Sequence, residues 1–221
     1  MTWQAPERTL PIRVPIIPGE SLDSWLETLA RRNGMTVREL LRVLGWPLPR
    51  TRFSLVQGIP PETLRSIERQ SGLPRGRLDG AVPGQFLHLG WARDSGTQYC
   101  PHCLSEQDGR WPLAWRLSWI FACSQHNVLL LGTCPVCGHP PRQSAAATAR
   151  RHAPATCPNP TGRRSYCGAD LRTHSAAQLA PDDPLLATQR WIDALVSAQA
   201  ATRQDKRGKR QINEKNPATD Q

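Results

Sequence analysis

The chain reads as a mainly α-helical fold whose middle third changes character. Three observations predict it: apolar stripes at helical spacing in the first half, seven cysteines confined to Cys100 through Cys167, and a capped apolar helix near the end. Residues 1–18 look extended and proline-studded. Leu22, Trp25, Leu26 and Leu29 then fall at i, i+3, i+4, i+7, one face of a helix. Ser21 or Ser24 can cap it, Ser24 with Glu27 has capping-box spacing, and Asn33-Gly34 supplies the stop. Thr36 with Glu39 repeats the capping pattern, and Val37, Leu40, Leu41 and Leu44 repeat the stripe. A third helix runs from Pro60-Pro61 to Ser71-Gly72, and Leu73 to Leu78 can add a short fourth. Residues 1–98 therefore read as an N-terminal helical, helix-turn-helix-like domain. That reading puts Arg31, Arg32, Arg38 and Arg42 on exposed faces; an ordinary helical packing unit is the competing one.

From Gln98 the sequence turns to Cys, Pro, Gly and Trp. Residues 99–175 form this second region, with Arg142 to Pro160 reading as a loop. In residues 176–221, Asp183-Pro184 opens a helix in which Leu185, Ile192, Leu195 and Val196 can share a face. A polar, basic tail follows, in which disorder is expected.

The cysteines have an internal order. Cys100-Pro-His-Cys103 is followed, after 19 intervening residues, by Cys123-Ser-Gln-His126. Cys134-Pro-Val-Cys137 is likewise separated by 19 residues from Cys157, and Cys167 completes the set. Zinc takes four tetrahedral sulfur and nitrogen donors, and tight donor pairs about 20 residues apart suit one ribbon-like site. The expected ligands are Cys100, Cys103, Cys123 and His126 for the first Zn2+, and Cys134, Cys137, Cys157 and Cys167 for the second. His102 is the alternative to His126, and His139 or His152 the alternative to Cys157 or Cys167. The predicted fold class is thus mainly α with two tandem zinc-finger or ribbon units and a C-terminal helix.

Two filled four-donor sites are structural, leaving no position for water or substrate. The chain also lacks a His-x-Glu ahead of a Pro-Cys-x-x-Cys, a Gly-x4-Gly-Lys loop, a His-Glu-x-x-His and a convincing nucleophile–base–acid set. An enzyme with a small-molecule substrate is not expected. A redox role for the C-x-x-C pairs fails for want of a thioredoxin-like βαβ pattern. Between the halves of the first site, Trp111, Trp115 and Trp119 sit four apart. They make a stacking platform or, as the plainer reading, core packing for a small metal unit, while Arg116 on another face can reach solvent or an acidic group.

Charge points to a polyanion. Lys plus Arg total 28 against 18 acidic residues, a formal +10, and all but three of the 28 are arginine. Residues 1–98 alone carry only +4, so weak, distributed phosphate contact with DNA is the expectation. No apolar run approaches the roughly 20 residues needed to span a bilayer, and the proline-rich start lacks the apolar core of a signal peptide. A cytoplasmic protein without a membrane partner is expected, nucleoid-associated when on DNA.

Pro18-Gly-Glu-Ser-Leu-Asp-Ser-Trp-Leu26, with Leu29-Ala30 and Asn33-Gly34, resembles the opening motif of the TniQ family of transposition proteins. Tyr99-Cys-Pro-His-Cys-Leu104, Trp115-Arg-Leu-Ser-Trp119, Cys123 to His126, Leu129-Leu130 and Cys134-Pro-Val-Cys-Gly138 resemble that family's zinc-finger region in the same order. The resemblance covers roughly residues 11–200. It implies a non-enzymatic target-selection factor that links target DNA or a targeting complex to an AAA+ ATPase of the TnsC or TniB kind, some relatives working with an RNA-guided CRISPR effector complex. Larger TnsD-like relatives carry a long C-terminal extension that reads an attachment site, where this chain has a short helix and tail. The rival reading is a stand-alone zinc-containing, sequence-specific transcriptional regulator.

Overall fold

The computed structural model describes residues 9–46, 59–82, 91–93, 96–143, 149–163 and 165–195. Three helices open it: α1 (Leu22–Arg32), α2 (Val37–Val43) and α3 (Pro61–Ser71). The α1 stripe of Leu22, Trp25, Leu26 and Leu29 is fully buried, together with Leu40 and Leu41 of α2 and Ile67 of α3. Burying each such side chain is worth about 1.5–3 kcal/mol, which is why the periodic pattern alone located these elements. The extended segment before α1 is strapped to it. The Trp25 indole donates to the Val14 carbonyl at 2.9 Å, and the Asn33 side chain both accepts from Ile12 N and donates to Ile12 O.

Helix ends follow local chemistry with one exception. Thr36 and Glu39 form a reciprocal capping box on α2, and α3 starts with Pro61 at its first turn and stops at Gly72 in the left-handed region, φ 72°. Ser21, by contrast, caps α1 without a side-chain bond. The Ser24–Glu27 pair makes no capping box, because Ser24 donates to Glu20 and Glu27 reaches Arg142. Residues 73–78 do not form a fourth helix: 73–74 are irregular and 75–78 make a turn. The buried Glu68 carboxylate accepts from the Gly76 and Leu78 amides at 2.9 and 2.8 Å and from Arg65, so these amides bond a side chain instead of a helical carbonyl. A 3-10 turn, Asp79–Ala81, follows.

The cysteine-rich half begins with α4 (Pro101–Glu106), a helix that its composition did not announce. Next come a 3-10 turn at Leu113–Arg116 and a two-stranded antiparallel hairpin, β1 (Ala122–Cys123) with β2 (Val128–Leu129), paired Ala122 to Leu129 and Cys123 to Val128. No helix runs through Trp111–Trp119. Trp111 and Trp115 are core residues packed edge-on, centroids 5.7 Å apart, whereas Trp119 meets the exposed Trp91 at 5.0 Å. The second core joins Trp111 and Trp115 to Tyr99, Leu104, Leu117, Val128, Leu171 and the cysteines themselves. The last helix, α5, spans residues 184–195, with Asp183 accepting from the Leu185 amide. Its buried face is Leu186 and Gln189, with Ile192 packed alongside, and Leu185 and Leu195 are exposed. The expected face is therefore rotated. The Gln189 amide oxygen accepts from the Phe121 and Ala122 amides, so a polar side chain takes a place that an apolar pattern assigns elsewhere. Val196 and the tail lie outside the described residues.

A polar seam joins the two cores. Ser21 N donates to Trp111 O at 2.9 Å, Leu113 N to Gly19 O at 2.8 Å, and Trp111 N to Ser24 Oγ at 2.9 Å. Beneath them Asp23, 1% exposed, accepts from both Arg116 and Arg142 at 2.7 Å, and Arg142 also donates to Glu27 at 2.6 Å while lying over the Trp111 ring. Alongside, Arg110 donates to Glu20 at 2.5 Å. Burial pushes the Glu20 carboxyl upward, against the pull of Arg110.

Candidate metal centres

Cys100 is the N-cap of α4, and the fixed φ of Pro101 suits the first turn. One turn of helix carries Cys103 back toward Cys100. The hairpin supplies the other pair: Cys123 ends β1, and a turn with Asn127 at φ 53° presents His126. The four donor atoms lie within 4.8 Å of one another. Cys103 and Cys123 sulfurs are 3.5 Å apart, and His126 Nδ1 stands 3.6, 3.3 and 3.4 Å from the sulfurs of Cys100, Cys103 and Cys123. With metal bonds of about 2.3 Å to sulfur and about 2.0 Å to nitrogen, a tetrahedron has edges of about 3.8 Å between sulfurs and about 3.5 Å from sulfur to nitrogen. The donors therefore fit one small tetrahedral ion.

The imidazole orientation is set from behind. His126 Nε2 is 2.9 Å from Glu106 Oε1, which leaves Nδ1 to face the sulfurs. Glu106 is itself held by the Gln125 amide. A carboxylate on the far nitrogen fixes the tautomer and raises the basicity of a metal-binding histidine. Glu106 was not among the sequence candidates; its signal was its position one helical turn beyond Cys103. His102 is exposed and turned out of the cluster, with its ring 5.2 Å from that of His126.

In the second cluster the Cys134–Cys167 and Cys137–Cys157 sulfur pairs are each 3.8 Å apart, the tetrahedral edge for sulfur. Cys134 and Cys137 sit on a knuckle closed by Gly138 N to Cys134 O at 2.8 Å. Cys157 and Cys167 come together because the chain folds back on itself. Cys157 N donates to Ala169 O, Gly168 N to Cys157 O, and Cys167 N to Asn159 O. This ladder absorbs the wide spacing between the last two cysteines. Asn159 spans the knuckle, donating to Pro140 O at 3.0 Å with its amide 3.6 Å from Cys137 Sγ. His139 instead meets the Cys137 carbonyl and His152 meets the Tyr166 ring, so neither enters the cluster. Burial pushes the Cys157 thiol up, and the Cys134 and Cys137 sulfurs push it further. Sulfurs packed this closely ionise together when a cation neutralises them.

The architecture defines a mainly helical chain carrying two four-donor clusters, one of three cysteines and a histidine and one of four cysteines, that could each hold a metal ion. The chain belongs to the TniQ family: the family model described as TniQ matches residues 11–130, more than half its length. That span holds α1 to β2 and the whole first cluster, and ends before Cys134. A search of curated proteins finds no match to the chain. TniQ membership makes this a transposition-associated protein, from a family of adaptors not known as enzymes. Among the described residues no helix is long and apolar enough to cross a membrane.

Proposed function

We propose that the chain is a non-enzymatic adaptor in DNA transposition, linking target DNA or a targeting complex to an AAA+ ATPase of the TnsC or TniB kind. The observation that carries this reading is the TniQ match across both the helical unit and the first cysteine cluster. Each cluster holds one structural Zn2+, which supplies folding free energy where the apolar core is thin. The α1–α2 pair acts as a helix-turn-helix-like element, with Arg32 and Arg42 exposed for phosphate contact. In the CRISPR-linked version of this role, the targeting complex is an RNA-guided effector. Seven bound thiolates and two zinc ions lower the formal charge from +10 to about +7, in keeping with modest, salt-sensitive DNA contact. Purified full-length protein should bind DNA weakly alone and markedly better with the ATPase and ATP, read by co-sedimentation on DNA. A tight sequence-specific footprint without partner favours the stand-alone regulator and overturns the adaptor.

A further inference from the structure

The seam that joins the two halves leaves a shallow surface cleft, with about 30 Å3 of enclosed space, between the end of α1 and the segment 150–158. Among the described residues four arginines line it, Arg31, Arg142, Arg150 and Arg151, together with His152, and Glu27 is the one carboxylate in its wall. Glu27 is engaged by Arg142, which shares Asp23 with Arg116, so these two arginines and two carboxylates balance among themselves. The other three arginines have lighter duties. Arg151 donates to Gly34 O at 3.2 Å, and the Arg150 guanidinium lies 5.0 Å over the Tyr166 ring. A guanidinium stacked this way keeps its in-plane N–H donors for a planar, two-pronged contact. Arg31 is half-buried, and burial together with neighbouring Arg110 and Arg32 disfavours its charge, against the pull of Asp108 and Glu20. Near Arg151 the opposing carboxylate is the exposed Glu39, already bonded to Thr36.

We infer that this cleft is a binding site for the phosphodiester backbone of nucleic acid, with Arg31, Arg150 and Arg151 as its contacts. The inference rests on the adaptor reading in that it assigns the DNA contact to a place. A polyanion fits better than a single small anion because the positive charge runs past the cleft, through Arg32 on the exposed end of α1 and Arg42 on α2. Sequence-independent binding follows, since guanidinium–phosphate contacts carry no base information. The cleft forms only where α1 meets the loop that leads into Cys157, so the site needs both halves docked.

Fluorescence anisotropy on a short duplex of arbitrary sequence tests this with the zinc-loaded full chain. The exposed pair Arg150→Gln/Arg151→Gln should weaken binding about tenfold and lower the salt slope by about one per lost phosphate contact. Arg31→Gln should act in the same direction. The control Arg172→Gln/Arg190→Gln removes the same charge from exposed positions outside the cleft and should change affinity less than about twofold. Equal losses in cleft and control variants overturn the site, as does a wild-type chain that binds no duplex. Poly-glutamate displacing the duplex as well as unlabelled duplex does marks an acidic-peptide site and overturns the nucleic-acid assignment; inorganic phosphate doing so marks a single-anion site and overturns it too. Unchanged zinc content and melting temperature show that the variants are folded. A cleft that binds duplex as expected while the ATPase is not recruited leaves the inference standing and sinks the adaptor reading alone.

Discussion

Asp23 on α1 and Arg116 in the cysteine-rich half, 93 residues apart in sequence, meet at 2.7 Å with both side chains almost wholly buried. Arg142 approaches the same carboxylate oxygen from the other side, also at 2.7 Å. One acidic side chain thus neutralises parts of two buried cations across the seam.

Removing that carboxylate leaves the buried Arg116 guanidinium without its acidic partner and Arg142 with Glu27 alone. Asp23→Ala should cost about 3–5 kcal/mol, since breaking a buried pair from one side leaves an uncompensated charge. Denaturant unfolding measures it. A loss under 1 kcal/mol would show that the seam is wet and loosely held.

Metal content follows from the two donor clusters. Elemental analysis of protein purified without chelator should find two zinc ions per chain, and Cys100→Ser or Cys134→Ser should each lose one. One ion or none in the wild type would sink the two-site reading.

Glu106 bonds the His126 ring nitrogen that faces away from the three sulfurs, and so positions the ring from outside the donor cluster. Glu106→Gln should weaken the first site about 10–100-fold, read by chelator competition, and leave the second unchanged. Glu106→Asp should behave like Gln, because the shorter side chain withdraws the oxygen from Nε2. Equal affinity in wild type and Glu106→Gln would remove its positioning role.

The capping box of α2 has a pH signature. Hydrogen bonds from the Thr36 amide and hydroxyl hold the Glu39 carboxyl below its ordinary 4.5. Its contribution is therefore present above pH 4.5 and lost as pH falls through the lowered folded value. Glu39→Gln should flatten the acid limb of the stability profile. Thr36→Ala should cost about 1 kcal/mol at neutral pH, read in the same melts.

Features that depend on neighbours a few residues away are legible in the amino-acid order: the apolar stripes of α1 and α2, the Thr36 cap, the Pro61 start and Gly72 stop of α3, and the Asp183 start of α5. That order also nominates the eight donors that the structure gathers into two clusters, because a knuckle or a hairpin turn brings donors together over short spans. The polar interior is set instead by contacts between distant segments. Ser24 and Glu27 have the spacing of a cap, yet serve the seam, and Arg142 in an apparent loop is buried against Asp23. Gln189 buries a face of α5 that an apolar pattern assigns elsewhere, and Glu68 diverts the amides of residues 76 and 78 from a helix. The reason is physical. Burying an apolar side chain is favourable against almost any apolar surface and so leaves a periodic mark in sequence. A buried charge or amide is tolerated only opposite a particular partner, and here that partner stands up to 119 residues away along the chain.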